Sequence, residues 1–378
     1  MTSASDRKKL LCSSRRLVMK VGTATLTAGA HALSRKRIST LAREIANARL
    51  AGKEIVLVSS GAIVGGMEHL GLKEKPRNIP EKQAAAAVGQ NHLMDLYTAA
   101  FKRHGVKVGQ ILLTHADMSD RGRFLNARAT LLTLLRHKIV PIVNENDTVS
   151  VEEIKFGDND ALAAATAHLV GADMLIILTD TDGIFDKDPR NDKTARPIPI
   201  LTEVDKKSIS MMAKTRGPLG TGGVLTKLKA AHNAARFGVP TVIANGSAPS
   251  VLARILSGEE IGTLCLPSTE RLSSRKSWIA YHLRPLGSVI VDGGALAAVK
   301  EKGKSLLPSG IIGVEGNFKA GDPVRLMDSH REVFAHGLAG YTSDELKKIK
   351  GAKSSEIAEL LGYKSQDEAI HRDNLVII

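Results

Sequence analysis

The chain has 378 residues, 43% hydrophobic and 3% aromatic, which is ample apolar material for a packed core and, at roughly 100–200 residues per domain, for two domains. Its two cysteines, Cys12 and Cys265, are too few and too far apart for a disulfide scaffold or a cysteine-based zinc site, so a reducing compartment and no structural metal are expected. The basic opening MTSASDRKKLLCSSRRLVMK lacks the apolar run of about 7–15 residues of a signal peptide, and no later run approaches the roughly 18 that span a membrane. These features predict a soluble, cytoplasmic protein with no membrane partner.

The formal net charge is +14. From Ser268 onward there are 16 Lys/Arg and 14 Asp/Glu, so +12 of the excess falls on the first 267 residues. A basic field there would favour capture of anionic small molecules. Nucleic acid is the other partner class such a charge raises, and a plain solubility charge accounts for it equally well.

In chain order, LVMKV (17–21) reads as a short apolar strand ending at Gly22. Ser34 is a good N-cap for a helix with Ile38, Leu41, Ala42, Ile45 and Ala46 on one face. EIVLVSS (54–60) reads as a buried strand. Pro80 opens a long alanine-rich helix towards Gly105. Then follow a strand (106–114), a helix (123–137), a strand running into amides and carboxylates (139–147), a helix (160–171) and the most apolar strand, DMLIILTD (173–180). After an irregular stretch come a helix (225–237), a strand (239–244) and a short helix (249–256). This alternation predicts an α/β fold: a mainly parallel sheet with helices on both faces, three layers in all. Functional loops then lie beyond the carboxyl ends of the strands.

The texture changes near Pro267. Beyond SSRKSWIAYHL (273–283) come short β-like runs, SVIVD, SGIIGVEG, DPVRLMD and VFAHGLAGYT, and then a helical tail with Ser343 as a candidate cap. The domains are therefore placed at 1–267 and 276–378, the second small and mostly β.

Candidate functional residues gather at the strand ends. Lys20 sits in an apolar strand one residue before VGT; lysine is rarely buried without a partner. It can deliver a positive charge to phosphates, or it is an edge lysine reaching solvent. SSGAIVGG (59–66) puts small residues at a predicted helix start, fitting either an anion site or a tight packing turn. NEND (144–147) ends a buried strand in amides and carboxylates, as a ligand contact or a polar turn. Asp158, Asn159 and Asp160 precede an apolar helix; an N-cap explains one of the three, and the set suits an amino group, a metal or the orientation of a lysine. TDTDGIFDKDPR (179–190) carries turn signals and carboxylates that could take an adenine amino group or a ribose hydroxyl. GPLGTGGVLTK (217–227) is glycine-rich and ends in lysine, yet lacks Walker A spacing. It can wrap phosphates or serve as a flexible linker.

Taken together, KVGT, SSGAI, AAVGQ, FLNAR, VPIVNENDTV, IKFGDND, LTDTDGIFDKDPR and GTGGVLTK resemble the glutamate 5-kinases of the amino-acid kinase family, over nearly the whole chain. The C-terminal module resembles a PUA domain. Ala24 and Val224 depart from the family's usual serine and methionine, and about ten residues precede its usual start.

The resemblance implies ATP-dependent phosphorylation of the γ-carboxylate of L-glutamate, with Mg²⁺ accompanying ATP and no protein-bound metal. It implies that Lys20 and Lys227 flank the transferred group and that Asp160 orients both. Ser60, Asp147 and Asn159 would bind glutamate, with Asp158 at its amino group. Lys20, Thr179, Asp180, Thr221, Gly222, Gly223, Val224, Leu225, Thr226 and Lys227 would contact the nucleotide. Family expectations extend to proline feedback, a dimer or tetramer, and hand-off to a glutamyl phosphate reductase. The alternatives are a kinase of this fold acting on another carboxylate, or an RNA-binding or regulatory protein using the PUA-like module.

Overall fold

The computed structural model describes residues 4–27, 32–72, 74, 76–149, 159–189, 192–202, 204, 221–267 and 285–378. The chain divides into two compact units, Met1–Arg271 and Leu272–Ile378.

The first unit is built on β1 (Arg16–Val21), β2 (Glu54–Ser59), β3 (Val108–Leu113), β4 (Val140–Glu145), β5 (Met174–Thr179), β6 (Ile200–Leu201), β7 (Thr241–Asn245) and β8 (Thr263–Cys265). They form one sheet in the order β3-β4-β2-β1-β5-β7-β8-β6. All neighbours from β3 to β7 run parallel. β8 is antiparallel to β7, and β6 runs with β8. The sheet is thus mainly parallel, as the alternation of elements predicts. The chain winds outward from β1 on one side and returns past it to β5. That reversal opens a crevice at the carboxyl end of β1, where ligands of open α/β sheets bind.

The helices are α1 (Ala4–Ser13), α2 (Thr23–Leu26), α3 (Arg35–Leu50), α4 (Ala62–His69), α5 (Ile79–Lys102), α6 (His115–Ser119), α7 (Arg121–Arg136), α8 (Asn159–Val170), α9 (Thr221–Arg236) and α10 (Val251–Leu256). Alternation along each strand sends successive side chains to opposite faces. Leu17, Met19 and Val21 of β1 enter the core formed with Ile38, Leu41 and Ile45 of α3 and Leu93, Tyr97 and Phe101 of α5. Val18 and Lys20 therefore face the other layer, where α8 lies across β1, β2, β4 and β5, flanked by α7 and α9. This gives the expected three layers.

Ser34 caps α3, accepting from the Arg37 N–H at 3.3 Å. Asn78 caps α5, with Pro80 inside its first turn. α4 and α5 cross with their backbones touching: a Cβ on Gly66 would sit 1.8 Å from the Ala85 carbonyl oxygen, and one on Gly89 1.8 Å from that of Ala62. The residues before β1, which no motif marks, form a helix. Leu11 is fully buried, and Arg7 donates to the carbonyls of Pro199 (3.0 Å) and Ile261 (2.8 Å).

The second unit is a five-stranded sheet of β9 (Gly287–Val291), β10 (Ile311–Gly316), β11 (Pro323–Met327), β12 (Val333–Leu338) and β13 (Leu375–Ile377), in the order β10-β9-β11-β12-β13. With α11 (Gly293–Lys300), α12 (Ser343–Ile349) and α13 (Ile357–Leu361) it encloses its own core around Val289, Leu326, Phe334, Tyr341 and Ile370. Two details differ from the sequence reading. The cap of α12 is Thr342, not Ser343, because Thr342 and Glu345 close a reciprocal capping box. The tail read as helical ends in a strand, β13, paired antiparallel with β12. The segment holding Trp278 lies outside the described residues.

Candidate active site

Lys20 is next to last in β1, in register with Val58 of β2 and Ile177 of β5, and only 7% exposed. Its side chain leaves the sheet on the α8 side, where its ammonium meets Asp160 Oδ1 at 2.6 Å. Lys227, in the second turn of α9, approaches the other oxygen, Oδ2, at 3.1 Å. The Thr226 hydroxyl donates to the same Oδ2 at 2.9 Å. Lys20, Asp160 and Lys227 thus form one cluster contributed by a strand and two helices.

Asp160 is 2% exposed, and burial alone would raise its carboxyl. The charges of Lys20 and Lys227, with hydrogen bonds from Lys20 and Thr226, outweigh that and hold it below the ordinary carboxylate range. Two ammonium groups around one carboxylate leave a surplus positive charge in a poorly solvated place, which favours an anion.

Beside this cluster lies a chain of amides. Asn159 Nδ2 donates to the Ser60 hydroxyl (2.9 Å), the Ser59 carbonyl (3.1 Å) and Asn144 Oδ1 (3.0 Å). Asn144 Nδ2 donates in turn to Gln90 Oε1 at 2.8 Å. Ser59 points to the opposite face, its hydroxyl 2.8 Å from that of Tyr97 on α5. Gly61, at φ 109°, makes the turn that lets α4 start immediately after Ser60. The packing-turn reading of SSGAIVGG is what the backbone shows. Ser60 joins the polar cluster, while Gly65 and Gly66 pack against Gly89 and Ala85 of α5.

Thr179 and Asp180 end β5, whose Leu178 pairs with Val21 of β1. The Thr179 hydroxyl donates to Asp180 Oδ1 at 3.0 Å, and Asp180 is exposed. The glycine-rich segment is not a loop ahead of a helix beginning at Leu225. Thr221, Gly222, Gly223 and Val224 already form the first turn of α9, so their backbone N–H groups are those that a helix start leaves without intrahelical partners. Val224, Leu225 and Thr226 are half-buried. Asp147 lies in the turn after β4, half-buried. Asp158 lies outside the described residues, as do residues 205–220.

Sequence reading did not single out Gln90 and Tyr97. Gln90 is visible only as the last residue of AAVGQ. Neither periodicity nor spacing reports a bond between residues on separate elements.

Among the described residues no three His, Cys, Asp or Glu side chains converge on a metal position, and both Asp160 oxygens are engaged by cations. Mg²⁺ bound through substrate phosphates keeps several waters and needs only one or two carboxylates. The exposed Asp180 at the end of β5 fits that limited demand, so these residues suit a cation carried in by a nucleotide.

Comparison with known proteins shows the family. The amino acid kinase family matches residues 15–245 and the PUA domain residues 287–361. A glutamate 5-kinase of Geobacter sulfurreducens is 48% identical over 372 residues, spanning 98% of this chain and 100% of its own. That of Trichlorobacter lovleyi is 50% identical over 98% of this chain and 99% of its own, and that of Moorella thermoacetica 48% over 97% of each. On two family matches and near-full-length likeness at about half identity, the chain belongs to the glutamate 5-kinase family of the amino-acid kinases.

Proposed function

We propose that this chain transfers the terminal phosphoryl group of ATP to the γ-carboxylate of L-glutamate, giving γ-glutamyl phosphate, the first step of proline synthesis. The observation that carries the reading is Asp160 shared between Lys20 and Lys227 at 2.6 and 3.1 Å. A carboxylate is already nucleophilic at neutral pH, so the reaction needs no general base. Its difficulty is electrostatic: an anion must approach a triphosphate, and charge must be held on the transferring phosphoryl oxygens. Fixed ammonium groups aimed at that charge answer the difficulty without reorganising during the reaction.

In this reading Lys20 stands on the acceptor side and Lys227 on the leaving side. Asp160 keeps both heads in place. Ser60 and Asn159 hold the glutamate, joined by Asp147 and Asp158. The first turn of α9 wraps the outer phosphates with its N–H groups, and Thr179 and Asp180 take the rest of the nucleotide. Mg²⁺ bound with the triphosphate would shield its charge. A homo-oligomer in the cytoplasm, proline feedback and transfer of the unstable acyl phosphate to a glutamyl phosphate reductase belong to the same proposal.

The test is purified protein with ATP, Mg²⁺ and L-glutamate, trapping the product with hydroxylamine as the γ-hydroxamate. Glutamate-dependent hydroxamate is expected. ATP binding without hydroxamate from glutamate, but with it from another carboxylic acid, would move the acceptor assignment to that acid.

A further inference from the structure

We infer that Gln90 is a positioning residue for the acceptor substrate, acting through the amides of Asn144 and Asn159; this rests on the reading that Asn159 and Ser60 hold glutamate. Two backbone groups give the amide chain its direction. The Glu145 N–H, which can only donate, points at Asn144 Oδ1 at 2.9 Å. The Ser59 carbonyl, which can only accept, takes a hydrogen from Asn159 Nδ2 at 3.1 Å. Asn144 must therefore turn its NH₂ the other way, and the acceptor waiting there is Gln90 Oε1 at 2.8 Å.

The consequence reaches the substrate position. Asn159 has its nitrogen committed to protein oxygens, so its Oδ1 is the end left to accept. Ser60 receives a hydrogen from Asn159 at 2.9 Å, so its own hydroxyl hydrogen is left to donate. One acceptor and one donor side by side suit the ammonium and the carboxylate of an amino acid.

Stability does not account for Gln90. The residue is 7% exposed, and its Nε2 is buried with no hydrogen-bond partner among the described residues. A buried donor left unpaired works against folding and offsets what the bond to Asn144 contributes. The same helix, α5, also holds the neighbouring strand end through the Tyr97–Ser59 bond. Gln90 and Tyr97 together seat the two serines and the asparagines against one rigid element.

The experiment measures hydroxamate formation and melting temperature for wild type, Gln90→Leu, Gln90→Glu, Ser60→Ala and the double variant Gln90→Leu/Ser60→Ala. Gln90→Leu exchanges one orphaned donor, on Gln90, for another, on Asn144. Its melting temperature should stay close to wild type. Its KM for glutamate should rise about 10-fold, with kcat and the KM for ATP within about two-fold, on the scale of one lost hydrogen bond to a charged ligand. Gln90→Glu keeps an oxygen where Asn144 donates and should recover most of the loss. The double variant should raise the glutamate KM by less than the two single effects combined, because both act on the Asn159–Ser60 pair. An unchanged glutamate KM in Gln90→Leu, or additive losses in the double variant, overturns the role of Gln90 while leaving the kinase reading intact. A wild type that forms no hydroxamate from glutamate overturns both.

Discussion

Lys20 and Asp160 meet at 2.6 Å with both side chains withdrawn from solvent, one from the central strand and the other from the first turn of the helix lying across it. Asp160 is a neutralising group for one lysine and a shared anchor for two. Removing its charge leaves two ammonium groups facing each other in a buried place, a worse arrangement than a single missing salt bridge. Asp160→Asn should therefore lower kcat by about 10²–10³-fold and also lower the melting temperature. The pH dependence follows from the direction of the shift. The folded carboxyl lies below its ordinary value, so its stabilisation is complete above about pH 4 and is lost as pH falls through the lower folded value. Melting temperatures of the two proteins should be well separated at neutral pH and converge in acid. A separation independent of pH would mean that Asp160 is not held ionised.

Lys227 and Ser60 lie on different sides of the reacting groups in the proposed mechanism, and steady-state kinetics separates their roles. Lys227→Ala removes a charge that matters most when the phosphoryl group is in transit. It should reduce kcat by about 10²–10³-fold with the glutamate KM within about two-fold. Ser60→Ala removes a bond made already in the ground state. It should raise the glutamate KM by about 10-fold with a smaller effect on kcat. The reverse pattern would exchange the two roles.

Gly223 offers a test of why α9 begins with glycines. Among the described residues a Cβ there would meet nothing within 4 Å, and alanine is favoured over glycine inside a helix by about 1 kcal/mol. Gly223→Ala should therefore keep or raise the melting temperature. If the first turn of α9 admits phosphates to its backbone, the same variant should weaken ATP binding several-fold, readable as the KM for ATP. Raised stability with unchanged ATP kinetics would leave the glycine without a role in phosphate contact.

Lys20, Asp160 and Lys227 also show which parts of the molecule the sequence reveals. Lys20 stands out because a charge interrupts an apolar strand, and the alternation of LVMKV decides which face it takes. Asp160 and Lys227 are legible as motif members, but their meeting depends on α8 and α9 packing side by side, which no local pattern encodes. The start of α9 is misplaced from sequence because Gly222 and Gly223 have poor helix propensity, whereas the structure tolerates them in a first turn. Thr342 could have been preferred to Ser343, since only Thr342 has a glutamate three residues on to close the capping box. β13, β6 and β8 are two or three residues long, too short for periodicity to register. Gln90 and Asn144 are far apart in the chain and join only once α5 is laid beside β4.

The crossing of α4 and α5 ties packing to substrate binding. The Cβ of Gly66→Ala would lie 1.8 Å from the Ala85 carbonyl oxygen, a backbone atom that cannot rotate away. The helices must separate, at a cost of about 1–3 kcal/mol or more. Gly89→Ala attacks the same contact from the other side, 1.8 Å from the Ala62 carbonyl oxygen. Once one methyl has pushed the helices apart, the second is accommodated more easily, so the double variant should lose less stability than the two single losses combined. Because α4 begins directly after Ser60 and Gly61, the displacement should also raise the KM for glutamate while leaving the KM for ATP near wild type. Thermal denaturation with both KM values measures this. Full additivity would show that each glycine fills a separate gap, and an unchanged glutamate KM would show that the turn at Ser60 is held independently of the helix that follows it.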